Sequence, residues 1–194
     1  TITGISVGGL PDGIVDTDMI AANAVATAKI ADSAVTSAKA TGIGISMYDE
    51  WRRSSNGSGT GTITNDWERV DTNFSKIGTG MTESSGIFTF PSTGIYIVRY
   101  HIMGHRSGDA PFFGCNLMLS TDSGSNYNLV TYSRNSNGND GDAYATAHGW
   151  GTIDVTNAST FRIYFTIDSA GSWSWRGATT FNESFASFMK IGET

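Results

Sequence analysis

The chain has 194 residues, a formal net charge of −6, and only 15% charged residues. This acidic balance argues against a nucleic-acid partner, because affinity for nucleic acid rests largely on Lys and Arg contacts to phosphate. No apolar run approaches the length that spans a bilayer, so we expect no membrane insertion. The length fits one ordinary domain with an appendage.

The first clear feature in chain order is a set of three tandem decads at residues 13–42, which read GIVDTDMIAA, NAVATAKIAD and SAVTSAKATG. One small apolar residue in every five is too few to build a core within one chain, so the stripe must be buried against other copies or a partner. The stripe consists of Val15, Ile20, Val25, Ile30 and Val35. We therefore predict that residues 1–43 are an extended segment whose decads form a multi-chain stalk. A disordered Ala/Thr linker is the alternative.

The rest of the chain, residues 44–194, holds the ten Phe, seven Tyr and five Trp. Low charge and many turn residues favour an all-β domain. The predicted strands are Ile45–Arg53, Thr62–Val70, Ile87–Phe90, Ile95–Met103, Phe113–Ser120, Asn126–Arg134, Tyr144–Val155, Phe161–Asp168, Ser172–Arg176 and Ser184–Ile191. Eight to ten short strands at this spacing indicate a sandwich, a jelly roll or a barrel.

Two predicted strands show which side chains should face the core, because alternate residues of a strand lie on one face. In the first strand the inward residues are Tyr96, Val98, Tyr100 and Ile102. In the second they are Phe161, Ile163, Phe165 and Ile167. Cys115 is the only cysteine, so no disulfide can form within the chain. Its apolar neighbours predict a buried, unreactive thiol.

The stretch 88–100 resembles the signature of the complement-one-q globular head, a jelly roll shared with tumour-necrosis-factor-like cytokines. The matching residues are Phe88, Gly94, Tyr96, Val98 and Tyr100, with Trp67 and Asn73 upstream and the closing strand 184–189. Val98 stands where the family usually has Phe, and the spacing between Asn73 and Phe88 departs from the pattern. The resemblance covers 44–194 and implies a jelly-roll β-sandwich head that assembles as a homotrimer.

The decads resemble repeats in bacteriophage tail-fibre and surface-fibre proteins. A stalk that needs other copies of the chain agrees with a head that assembles as a trimer. This resemblance implies a virion fibre or spike protein, attached to the tail or the capsid, that binds a host surface glycan or outer-membrane component. The N-terminal segment would contact other virion proteins. A purely structural particle component, such as a capsid decoration or a fibre connector, is the alternative.

Candidate receptor-binding residues follow from aromatic content and from the loops at the far end of the predicted jelly roll. Trp173 and Trp175 should point to one face of a strand, and a neighbouring strand adds two more rings. A sugar can stack on such rings while polar groups fix its orientation. The candidates are Trp173, Trp175, Arg176, Tyr144, Trp150, Tyr127 and Arg134. The alternative is that the Trp rings simply fill the head or its threefold interface.

The loop NSNGNDGD at 135–142 is a candidate calcium site, because oxygen ligands on alternate residues suit Ca²⁺. Its candidate ligands are Asn137, Asn139, Asp140 and Asp142. A tight polar turn without metal is the alternative, since Asn, Asp and Gly form such turns unaided. Apart from this possible calcium we predict no cofactor.

Catalytic motifs are weak throughout the sequence. Gly4–Gly8 matches the G-x-S-x-G spacing, but no helix start follows it, as a nucleophile elbow requires. No H-E-x-x-H, C-x-x-C or phosphate-binding loop occurs. We predict that the protein is not an enzyme. A glycan-cleaving activity through two converging carboxylates is the remaining alternative.

Overall fold

The computed structural model describes residues 25–26, 29–32, 34–35, 44–108, 110–136 and 141–194. The chain divides into two units, Thr1–Ile43 and Gly44–Thr194. In the described part of the first unit Val25, Ile30 and Val35 are exposed. Val15 and Ile20 lie outside the described residues, so the stalk remains a prediction. We call the second unit the head.

The head is all-β over its described residues and contains thirteen strands. They are β1 (Met47–Arg53), β2 (Gly57–Ser58), β3 (Gly61–Thr62), β4 (Trp67–Arg69), β5 (Thr82–Ser84), β6 (Ile87–Thr89), β7 (Gly94–Arg106), β8 (Phe112–Ser120), β9 (Asn128–Asn135), β10 (Ala143–Val155), β11 (Arg162–Ala170), β12 (Ser174–Trp175) and β13 (Phe185–Gly192).

The strands form two antiparallel sheets that pack face to face. The strand order of the larger sheet is β10–β7–β13–β1–β4. The C-terminal end of β7 extends beyond β13 and pairs there with β12, which in turn pairs with β2. The smaller sheet runs β5–β6–β11–β8–β9, with β3 against β11. The last strand, β13, lies between the early strands β7 and β1, so the fold closes through contacts distant in sequence. The expected all-β sandwich is confirmed.

An aromatic cluster fills the space between the sheets. The centroid of the Phe88 ring lies 5.0–5.9 Å from the ring centroids of four neighbours, which are Phe188, Trp67, Trp51 and Phe165. Phe88 is fully buried. Offset and edge-on ring pairs of this kind add to the stabilisation from apolar burial. Trp51 and Trp67 belong to β1 and β4, so the cluster connects the edge of the larger sheet to the smaller one.

The predicted alternation of inward and outward side chains is confirmed on both strands that show it. Tyr96, Val98, Tyr100 and Ile102 of β7 are buried, as are Phe161, Ile163, Phe165 and Ile167 at β11. Cys115 is also fully buried. Burial raises the pKa of its thiol far above the ordinary value, so it stays protonated and unreactive at neutral pH.

The region 54–70 differs from its prediction. A strand was expected over Thr62–Val70, but pairing is limited to β3 and to Trp67–Arg69. The chain turns at Asp66, which has a positive φ of 58°, and a residue in that conformation cannot continue a strand. The preceding segment, which was not assigned to a predicted strand, supplies β2. Short β5 was not predicted, because TES carries almost no apolar pattern.

A buried carboxylate fixes the start of the larger sheet. Asp49 of β1 is inaccessible to solvent, yet its carboxylate is fully engaged. Arg69 Nε donates to it at 2.9 Å, and the Trp51 indole N–H donates at 2.9 Å. The Met81 backbone N–H donates at 2.7 Å. The ion pair therefore joins β1, β4 and the segment that leads into β5.

Candidate functional site

The outward face of the larger sheet carries several large apolar side chains, although it points away from the core. Strand β7 places Ile95, Ile97 and Met103 there, between its inward residues. Residues exposed or half-buried on the other strands of this face are Tyr48, Trp150, Phe185, Met189 and Ile191. An antiparallel sheet with one solvated face normally carries polar residues on that face. Apolar residues on both faces are typical of a sheet that is covered on both sides.

A concavity of about 300 Å³ lies in the middle of this face. His148 of β10 is directly opposite His101 of β7, which is opposite Phe185 of β13. The His101 and Phe185 rings are stacked, with centroids 5.3 Å apart. Trp150, which is 64% exposed, and Arg99 complete the wall. Aromatic rings thus surround a pair of imidazoles.

The charges in this concavity are mostly positive or potentially positive. Burial lowers the pKa of His101, and the neighbouring His148 lowers it further. Within the described residues Arg99 makes no ion pair. Burial and a 2.8 Å hydrogen bond to Glu50 raise the pKa of the Tyr48 hydroxyl. The neutral form of the His101 imidazole is therefore favoured.

Replacing His148 by glutamine is expected to raise the pKa of His101 towards its ordinary value of about 6.5. Folded His101 holds its proton less tightly than unfolded His101, so the wild-type head should lose stability as pH falls below about 6.5. The glutamine variant should lose less. Titration of the imidazole C–H signals by NMR measures the pKa directly. His105→Gln is the control, and an unshifted His101 in the His148 variant would contradict the coupling.

Trp173 and Trp175 do not form the predicted sugar-binding face. Trp173 is 2% exposed and its ring lies 5.1 Å from that of Phe113, while Trp175 is 7% exposed. Both rings fill the core, so the packing interpretation is correct for them and the sugar-stacking one is wrong. The adjacent Arg176 pairs with Glu183 through Nε at 3.2 Å.

Tyr144 and Trp150 are exposed, but both lie on the outward face of the larger sheet. They are six positions apart on one strand, which corresponds to about 20 Å. Tyr144 lies instead against His105, with ring centroids 4.7 Å apart. The structure therefore does not bring the predicted aromatic candidates together in one site.

Tyr127 and Arg134 lie on the outward face of the smaller sheet. Tyr127 packs against Tyr164, with centroids 4.5 Å apart. Arg134 Nε donates to the Asp168 carboxylate at 2.9 Å. The Arg134 guanidinium also lies over Phe112, 4.8 Å from the ring centroid, and 5.6 Å from that of Tyr132.

Sequence reasoning missed Tyr132, Phe112 and Asp168 as members of this cluster. Tyr132 and Phe112 carry outward rings on a sheet, a position that periodicity alone assigns to polar residues. Asp168 was not among the predicted candidates. The alternation of β11 is consistent with an outward Asp168, but only the register of three strands shows that it lies across Gly114 from Arg134.

The candidate calcium loop is described only in part. Asn137, Asn139 and Asp140 lie outside the described residues. Asp142 Oδ1 is 2.6 Å from His105 Nε2, so that carboxylate already has a protein partner. Among the described residues no group of three or more His, Cys, Asp or Glu side chains is arranged to hold a metal ion. Calcium binding by this loop stays a prediction.

Over the described residues, no helix is long and apolar enough to span a membrane.

Comparison with known proteins shows the fold of the head. No family model matches the chain, and no curated protein matches it in sequence. Among solved structures, the chain is similar to Eiger TNF from S. frugiperda, with a TM-score of 0.60, 11% identity, and coverage of 78% of this chain and 96% of that one. Murine APRIL at pH 8.5 has a TM-score of 0.54 and 14% identity, covering 74% and 98% of the two chains. Murine APRIL at pH 5.0 also has a TM-score of 0.54, with 16% identity and the same coverage. The head is a TNF-like jelly roll.

Proposed function

We propose that this protein is the fibre or spike protein of a virus particle, and that its head assembles as a homotrimer and binds a host cell-surface receptor. The receptor is a glycan or an outer-membrane component. The N-terminal segment, with its decads, attaches the head to other virion proteins and places it at the particle surface, on the tail or the capsid. The resemblance of the decads to phage fibre repeats supports this attachment.

The apolar outward face of the larger sheet is the observation that carries the assembly step. Leaving Ile97, Met189 and Trp150 in water forgoes roughly 25 cal/mol for each Å² of apolar surface that could be covered. None of the described strands of the head packs on this face of the larger sheet. Two further copies would cover it around a threefold axis, as the resemblance to trimeric complement-like and TNF-like heads implies.

Assembly also explains how receptor binding can work without a deep pocket. Three heads on one fibre, and several fibres on one particle, convert weak single contacts into intramolecular ones. A shallow site of modest affinity on each head is then sufficient for adhesion. Such a site is expected on the surfaces that assembly leaves free.

Light scattering on the purified full chain tests the proposal. We expect a mass of about three times the 20.6 kDa of one chain, stable on dilution through the micromolar range. A labelled trimer should then bind host cells and lose binding when surface polysaccharide is removed. A monomer would contradict the proposal. A trimer that ignores host cells would instead identify a structural particle component, and release of reducing ends from polysaccharide would identify a glycan-cleaving enzyme.

A further inference from the structure

Three strands of the smaller sheet place an arginine, a glycine and a carboxylate in one row. Arg134 of β9 is in register with Gly114 of β8, which is in register with Asp168 of β11. The arginine side chain crosses the middle strand and reaches the carboxylate on the far side. Both Nε and Nη2 of Arg134 donate to the same oxygen, Oδ2 of Asp168.

Gly114 makes this crossing possible. A Cβ at this position would lie 2.8 Å from Arg134 Cγ and 2.8 Å from the backbone carbonyl oxygens of Asp168 and Ser133. Such distances are well inside van der Waals contact, so any side chain here would displace the arginine and strain the backbone of the neighbouring strands. Because two rings also flank the guanidinium, its plane is fixed before any ligand arrives.

The neighbouring row is polar and includes an exposed ring. Tyr132 of β9 is in register with Asn116 of β8, which is in register with Thr166 of β11. Tyr132 is 59% exposed. A phenol ring, an amide and a hydroxyl therefore lie directly beside the Arg134–Asp168 pair. We call these residues, together with Phe112, the β8–β9–β11 platform.

The pair leaves unused hydrogen-bonding capacity at its outer edge. Within the described residues no partner contacts Nη1 of Arg134 or Oδ1 of Asp168. One is a donor and the other an acceptor, and both belong to charged groups that form strong hydrogen bonds. Vicinal hydroxyl groups of a sugar can accept from one and donate to the other, while the apolar face of the ring stacks on Tyr132.

We propose that the β8–β9–β11 platform binds a neutral oligosaccharide. The inference deepens the proposed function, because it gives the receptor-binding step a site and a ligand class. The platform lies on the opposite side of the sandwich from the apolar face of the larger sheet, so assembly through that face leaves it free.

Charge determines which class of glycan fits. Asp168 already neutralises Arg134, the platform's cation, so no unpaired positive charge is left for a uronic acid or a phosphate group. The chain as a whole carries −6, which disfavours the approach of an acidic polymer. The platform offers planar hydrogen-bond donors and acceptors beside an aromatic ring, and the charges of Arg134 and Asp168 cancel. Such a surface is suited to uncharged sugar rings.

The test is a titration of the full chain with short neutral oligomers of glucose, galactose and mannose, and with acidic oligomers of glucuronic and galacturonic acid. Chemical-shift changes in NMR spectra report binding. We expect at least one neutral oligomer to bind, and Tyr132→Ala to weaken it by about tenfold or more. Leu129→Ala, on the same strand and 52% exposed, is the matched control and should bind like wild type.

Gly114→Ala gives an independent variant, because it displaces Arg134 without removing any hydrogen-bonding group. It should also lose neutral-oligomer binding, and an unchanged spectrum outside the platform shows that the head remains folded. Binding of acidic oligomers alone, or neutral binding that Tyr132→Ala leaves intact, overturns the inference. If cell adhesion persists in either case, the receptor lies elsewhere and the proposed function stands. If the trimer binds no cells, the proposed function itself fails.

Discussion

Replacing Asp49 by alanine is expected to destabilise the head by about 3–5 kcal/mol, the usual cost of removing one partner from a buried ion pair. Urea denaturation of the full chain, followed by tryptophan fluorescence, measures the change. Protein concentration must be held constant, because assembly would add to the apparent stability. We expect a lower midpoint with little change in slope.

The physical cause is the number of donors that converge on one inaccessible carboxylate. Without it, the two-thirds-buried guanidinium of Arg69 loses the acceptor of its Nε. The Trp51 indole N–H and the Met81 backbone N–H also lose their acceptor inside the protein. A buried donor without a partner costs about 1–3 kcal/mol. The sum is large because the Trp51 and Met81 donors are buried, where water does not readily replace the carboxylate.

Asp71→Ala is the matched control for this experiment. Asp71 also pairs with an arginine, Arg52, at 2.6 Å, but its own side chain is 79% exposed. Glu68 remains as a second partner of that arginine at 2.7 Å. Exposed pairs contribute about 1 kcal/mol or less. If the two alanine variants were equally stable, the buried carboxylate would not have the structural role assigned to it.

The sequence was most informative where a strand has one buried and one polar face. The inward residues of β7 and β11 follow from the period of two, because burial demands that apolar side chains recur on one face. The same reasoning failed for the outward residues Ile95 and Ile97. They were not assigned any role, because alternation treats the second face of a strand as solvated.

The candidate site was predictable only in its residue types. Arg134 was selected for its place beside a loop, yet its partner Asp168 is 34 residues away in sequence. Trp173 and Trp175 illustrate the opposite error. Two rings on one face of a strand look alike in sequence whether that face is buried or exposed. Only the packing of Trp173 on Phe113 decides the question in favour of the core.

Replacing Trp150 by glutamate should convert the proposed trimer into a monomer without unfolding the head. The side chain is 64% exposed in the single chain, so the substitution should cost the isolated fold little. In the assembly the same position lies on the apolar face that copies would cover. The glutamate would lie opposite Arg99 of β7, but covering the pair with further copies would remove both charges from water, at a cost that can exceed their mutual attraction.

Light scattering should therefore give a mass near 20.6 kDa for Trp150→Glu where wild type gives about three times that value. Leu129→Glu is the control, since it adds the same charge at a similarly exposed apolar residue of the smaller sheet and should leave the mass unchanged. Tryptophan near an interface centre commonly contributes 2 kcal/mol or more to binding. If Trp150→Glu retained the wild-type mass on dilution, the outward face of the larger sheet would not be the surface that joins the copies.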